Sequence, residues 1–186
     1  MSDLSIYELF RDKMRSGDHI SWDGDTLLGF MIKLFTVRNH SSLVFRPDEF
    51  AGLSNRRWII EADEGEVNVR ILSKKLSSYK GKAYWHPLKS EYDQYRPSME
   101  EYLSACLGDK YDYRGLLANV FGYVKVNQDR LFCSELAGQC YMTAIPKMEL
   151  VKLLPNDGIS RLFEGDALRP GDVATLPIFE PEVRIL

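Results

Sequence analysis

The sequence predicts an α+β fold within one domain spanning residues 1–186. Three observations carry this expectation. Short β-branched and aromatic runs separated by turn residues crowd the first half, as in antiparallel sheets. Longer segments with helical spacing fill the second half. No repeat, low-complexity tract or linker divides the chain, and its length suits one hydrophobic core. The expected architecture is a small antiparallel sheet with helices packed beside it.

The elements follow in order. Ser5 and Glu8 have the spacing of a capping box, and Ile6, Leu9, Phe10 and Met14 recur near helical period, so a helix opens the chain. Ser16, Gly17 and Asp18 end it. His19 to Trp22 reads as a strand, Asp23-Gly24-Asp25 as a turn and Thr26 to Phe35 as a helix. Ser41 to Phe45 has strand composition, and Pro47 to Asn55 reads as loop. Arg57 to Ala62 and Val67 to Leu72 are strands joined through Asp63-Glu64-Gly65. In the second of these, Val67, Val69 and Ile71 alternate with Asn68 and Arg70, which predicts one buried face and one wet face. Lys82 to Leu88 reads as a further strand. Pro97 and Ser98 open a helix through Leu107, with Gly108 as its stop. Asp112 to Tyr123, Cys133 to Met142 and Lys147 to Leu153 read as helices. Val173 to Leu176, after the turn Pro170-Gly171-Asp172, reads as a last strand.

Composition excludes several classes of function. Lys and Arg number 24 against 27 Asp and Glu, a formal charge of -3, so a strongly basic nucleic-acid binder is not expected. Three cysteines, none in a CxxC pair, disfavour a disulfide framework and a structural zinc site. The first residues carry acids and no apolar leader. The longest apolar stretch, Leu27 to Phe35, is broken by Gly29 and Lys33 and is too short to cross a bilayer. A reducing cytoplasm is the expected compartment. Asp23 and Asp25 read as a turn rather than a cation site, and the basic pairs Arg56-Arg57 and Lys74-Lys75 as solvated. No phosphate loop, GxGxxG or HExxH motif occurs.

Three residues supply the types needed for nucleophilic chemistry. Cys133 stands at the expected start of a helix, where free N–H groups and the helix dipole stabilise a thiolate and can hold an oxyanion. Cys106 and Cys140 fall inside helices and read as structural; Cys140 packs behind the site. His40 stands where a loop enters a strand, a rigid mount for a base. His19 and His86 have weaker claims. Glu61 interrupts the apolar run Trp58-Ile59-Ile60-Glu61-Ala62, on the same strand face as Ile59. A carboxylate among such neighbours needs a partner, and His40 is the natural one if the two strands are adjacent. Each of the three residues also has an ordinary structural reading: a buried cysteine, a solvated loop histidine, an edge-strand glutamate.

Taken together, six segments resemble in their order a known group. They are Gly17-Asp18, His40-Ser41-Ser42-Leu43-Val44, Ile60-Glu61-Ala62, Tyr111-Asp112-Tyr113, Phe132-Cys133-Ser134-Glu135-Leu136 and Pro170-Gly171-Asp172. The group is the permuted papain-like amidases of the YiiX/YaeF type, relatives of NlpC-type cysteine peptidases. Its permuted order places the His well before the Cys, as here. The resemblance implies a circularly permuted papain-like fold, with a small antiparallel sheet or half-barrel packed against the helix that carries the Cys. It implies Cys133 as nucleophile, His40 as base and Glu61 as the orienting residue, with Tyr111 and Ser134 on the substrate or oxyanion side. The implied activity is a cysteine-dependent hydrolase that cleaves an amide (peptide or isopeptide) or ester through an acyl-enzyme, with no cofactor and no metal. The expected partner is a peptide-like or lipid-like amide or ester, not nucleic acid; oligomeric state is left open. Two rivals stay open: an acyltransferase on the same thiol chemistry, as in the lecithin retinol acyltransferase group, and a non-catalytic binding module with this fold.

Overall fold

The computed structural model describes residues 4–24, 38–46, 56–63, 66–110, 133–153 and 170–186. The expected helices over Thr26–Phe35 and Asp112–Tyr123, the loop Pro47–Asn55 and the candidate Tyr111 lie outside the described residues.

Helix α1 covers Ser5–Phe10 and tightens into a 3₁₀ turn over Arg11–Lys13. Gly17 then takes φ +84°, a left-handed turn that sends the chain into the sheet. Four strands follow, β1 His19–Gly24, β2 His40–Phe45, β3 Trp58–Asp63 and β4 Glu66–Ile71. Helix α2, Leu72–Ser78, leads to β5, Gly81–His86. A 3₁₀ segment over Ser90–Tyr95 runs directly into α3, Arg96–Ala105. Helices α4 Cys133–Ala144, α5 Lys147–Leu153 and α6 Pro170–Ala174, with the short strand β6 Val183–Arg184, complete the order among the described residues.

The strands form one six-stranded sheet in the order β4-β3-β2-β1-β5-β6, with every neighbouring pair antiparallel. Period-two alternation gives the sheet two apolar faces. Leu43, Phe45, Ile60 and Ala62 pack against Met99 and Leu103 of α3 and Leu136, Ala137, Cys140 and Tyr141 of α4. Ile20, Trp22, Val44 and Ile59 pack on the other side, against Tyr7, Met14, Leu72 and Leu76. Each fully buried Leu or Ile contributes roughly 1.5–3 kcal/mol, so α4 is anchored by its middle and the position of its first residue follows. The α+β class expected from the sequence is the class observed.

Several elements differ from the sequence expectation. Leu4 takes the N-cap position of α1, so Ser5 lies inside the helix rather than capping it. Ile6 and Leu9 are exposed and Tyr7 is the buried residue, because a six-residue helix presents one short stripe to the sheet. Only Val67 of β4 is buried: β4 is the edge strand of the sheet, and its outer edge is met at Glu66 and Val67 by residues 108–110. Residues Val173 and Ala174 belong to helix α6, not to a last strand: Pro170 opens it and Asp172 sits in its first turn, both favourable at a helix N-terminus. Helix α2 was not expected from its Lys- and Ser-rich sequence; Leu72 and Leu76, four apart, bury one stripe of it. Arg57 is buried rather than solvated, with Nε donating to the Met14 carbonyl at 3.0 Å.

Candidate active site

The site forms where the β2–β3 ladder ends. That ladder pairs Phe45 with Trp58, Val44 with Ile59 and Leu43 with Ile60, so His40 and Glu61 lie just past its last pair. Helix α4 packs against both strands, which brings its first residue, Cys133, to the same end. The three expected chemical residues, 93 positions apart at the extremes of the set, thus meet through sheet register and one helix contact.

His40 is the central member. Its Nε2 lies 2.8 Å from Oε2 of Glu61, and the ring also interacts with the Cys133 side chain. With Nε2 committed to Glu61, Nδ1 is the nitrogen left for the sulfur. Burial and the Lys75 charge push the imidazole toward neutrality, but the Cys133 sulfur and the Glu61 carboxylate outweigh them and hold its pKa up at about 9. Glu61 is fully buried. Burial alone would raise its pKa; His40 and Lys75 overcome that and bring it down to about 2. The result at neutral pH is a buried carboxylate against an imidazolium, which in turn faces the thiol.

Two further cations close around Glu61. Lys75 of α2 places Nζ on the oxygen that also holds His40. Arg70 of β4 brings Nε within 3.2 Å of Oε1 at ion-pair distance, although its N–H is not aimed to make a hydrogen bond there. Lys75 therefore belongs to the site and is not solvated, contrary to the sequence expectation. The missed signal was its place four residues after Ile71 and one before Leu76, on a helix whose stripe faces the sheet.

His40, Glu61 and Asp63 each offer a ligand atom, all within 4.8 Å of one another. The arrangement does not fit a resident dication. Lys75 and Arg70 already neutralise Glu61, and Arg70 also lies 3.9 Å from Asp63.

Ser134 is buried, and its Oγ has no hydrogen-bond partner among the described residues. Cys140 lies in the core, its Sγ 3.9 Å from the Met99 carbonyl, and burial raises its pKa; Cys106 is buried and raised likewise. His19 and His86 are held by serine hydroxyls of neighbouring strands. Nε2 of His19 meets Ser41 Oγ at 3.1 Å, and Nε2 of His86 meets Ser21 Oγ at 2.8 Å. Arg38 Nε donates to that Ser21 oxygen at 3.1 Å, which leaves the Ser21 proton for His86 and makes Nε2 of His86 the acceptor. Burial pushes His86 down to about 4 and holds His19 well below its ordinary value, so both rings are neutral at pH 7. A cavity of about 740 Å³ opens beside them, lined by Arg38, His86, Phe179 and Glu182 among others.

No protein-family model matches the chain. No curated protein matches it in sequence. Among solved structures, it is similar to the metalloprotein YiiX from Escherichia coli O157:H7, with a TM-score of 0.63 and 17% identity over 91% of this chain and 96% of that one. At that identity the likeness establishes a shared fold, and the resemblance to the YiiX type read from the sequence holds at the level of architecture.

Proposed function

We propose that the protein is a thiol hydrolase that cleaves an amide or ester bond through an acyl-enzyme. One observation supports this above the others: an unbroken chain of contacts from the Cys133 side chain through the His40 ring to the buried Glu61 carboxylate. A degenerate module has no chemical need for that chain. The YiiX-like fold is consistent with the reading. The metal in the name of that relative is not carried over, because Lys75 and Arg70 hold the carboxylates that would bind one.

In this reading Cys133 rests as a thiolate against the His40 imidazolium. The sulfur attacks the substrate carbonyl and a C–S bond forms. Backbone N–H groups in the first turn of α4 face the oxyanion, since the first four of any helix lack intrahelical partners. Ser134 contributes through its N–H. The C–N or C–O bond breaks as the His40 proton passes to the leaving group. Water then gives its proton to His40 and its hydroxyl to the acyl carbon, the C–S bond breaks, and the ion pair is restored. Glu61 keeps the ring oriented and stabilises its charged form without taking the proton.

Incubation with p-nitrophenyl acetate tests this. The expected result is a burst of nitrophenol and one acetyl group on Cys133 by peptide mapping, lost in Cys133→Ala and slowed by at least about 100-fold in His40→Ala. Turnover without an added acceptor identifies hydrolysis; turnover only with an amine or alcohol identifies acyl transfer. Absence of any acetyl-Cys133 sinks the catalytic reading.

A further inference from the structure

Helix α2 carries a residue that acts on the thiol–imidazole pair from beneath. The Lys75 side chain is 14% exposed and runs between two fixed surfaces. Its ammonium lies 4.4 Å from the centroid of the Trp22 ring, a cation–π distance. Trp22 is itself fully buried and locked by its Nε1 donating to Ser42 Oγ at 2.8 Å. The far side of the ammonium meets Glu61 on the oxygen that binds His40. Lys75 and His40 thus share one acceptor atom, and each of the two cations feels the other through it.

We infer that Lys75 is a positioning residue of this site, held by Trp22 so that its ammonium clamps the Glu61 carboxylate against His40. The inference rests on the proposed hydrolase reading only for its catalytic consequence; the effect on His40 stands on geometry. His40 is faced by Cys133 from α4, by Glu61 and Asp63 from β3, by Lys75 from α2 and by His19 from β1, with Arg70 of β4 acting through Glu61. Among these, Lys75 supplies the cation that opposes the His40 charge most. A general acid that binds its proton too tightly donates it slowly to a leaving group, so a cation at this distance brings the imidazolium closer to the useful range.

The test is an NMR titration of the His40 imidazole in wild type, Lys75→Met, Lys75→Gln and Lys75→Arg, alongside the pH dependence of Cys133 alkylation by iodoacetamide. The expected result is an upward shift of the His40 midpoint by roughly one pH unit in both neutral variants, with the alkylation profile moving the same way and Lys75→Arg restoring the wild-type midpoint. Two neutral variants of different shape guard against one that fails to fold. A midpoint unchanged in either folded neutral variant, or one moved equally by Lys75→Arg, overturns the inference. Repeating the titrations in a Cys133→Ala background separates the two claims: the shift between Lys75 and its neutral variants persists there without turnover, whereas failure of acyl-enzyme formation in wild type would count against the hydrolase reading alone.

Discussion

Tyr141 donates its hydroxyl to the Gly17 carbonyl at 2.8 Å, joining the helix that begins with Cys133 to the turn that begins the sheet. The two residues are 124 positions apart, and both are buried in the core between α4 and the strands. This bond fixes how far α4 can slide along β2, and so where its first residue stands relative to His40.

Tyr141→Phe removes one buried hydrogen bond and leaves the Gly17 carbonyl unpaired by it. The expected cost is about 1–2 kcal/mol in urea unfolding, with acyl-enzyme formation at Cys133 slowed as the helix start loosens. Unchanged stability would show that water replaces the hydroxyl and that the bond does not hold the register.

Glu61→Gln keeps the shape of the side chain and removes its charge. Three cations then share a neutral amide, and the buried ion-pair cluster is broken. The loss should be about 3 kcal/mol, at the low end for buried pairs because Arg70 reaches solvent. The His40 midpoint should fall toward its ordinary value, since the carboxylate that favours its charged form is gone. A His40 titration that stays near 9 in this variant would reassign the support to Cys133 alone.

Stability should peak near pH 6.5. His40 keeps a proton up to about 9 in the folded protein, so its contribution is full below its ordinary 6.5 and is lost as pH rises through 9. His86 is pushed down to about 4 by burial, so the unfolded chain takes up a proton first and stability falls as pH drops from 6.5 toward 4. Glu61 adds stability above its ordinary value of 4.5, and this is lost as pH falls toward 2. Each histidine accounts for on the order of 3 kcal/mol across its window. Urea midpoints across this range should fall on both sides; His40→Gln should flatten the alkaline limb, and His86→Gln should lessen the acid limb, to which His19 also contributes.

Arg96 holds the buried Asp18 at 2.9 Å and also donates to the Ser16 and Leu88 carbonyls. Asp18 meanwhile accepts from Trp85 Nε1 at 2.9 Å and from the Leu88 N–H at 3.1 Å, so it ties β5 and α3 to the turn before β1. Arg96→Met strips this carboxylate of its counter-charge at a cost of about 3–5 kcal/mol. A thermal midpoint within a degree or two of wild type would mean that Asp18 simply takes up a proton instead.

The helix start at Cys133, the β2 and β3 runs and their period-two faces were legible in the sequence because local patterning decides them. Ile60 and Ala62 faced one core and Ile59 and Glu61 the other, as alternation requires. The oddity of a carboxylate on an apolar strand was legible for the same reason. Edge effects were not: the partial exposure of β4 and the helical form of Val173 depend on which neighbours are present in space. Lys75 and Arg57 looked like solvated surface, since a basic pair in a polar stretch gives no local sign of a buried acceptor.

The sequence by itself determined the class of fold, the elements that mount Cys133, His40 and Glu61, and the chemistry those side chains can carry, all of which follow from propensity and period. Only the tertiary structure decided that the three converge, that Glu61 sits among three cations, and that His19 and His86 are held by serine hydroxyls. Those facts depend on strand order, on where the β2–β3 ladder stops and on how α2 and α4 pack on opposite faces of the sheet. Such contacts join residues far apart in the chain, and their energies arise from burial and charge that no local window contains.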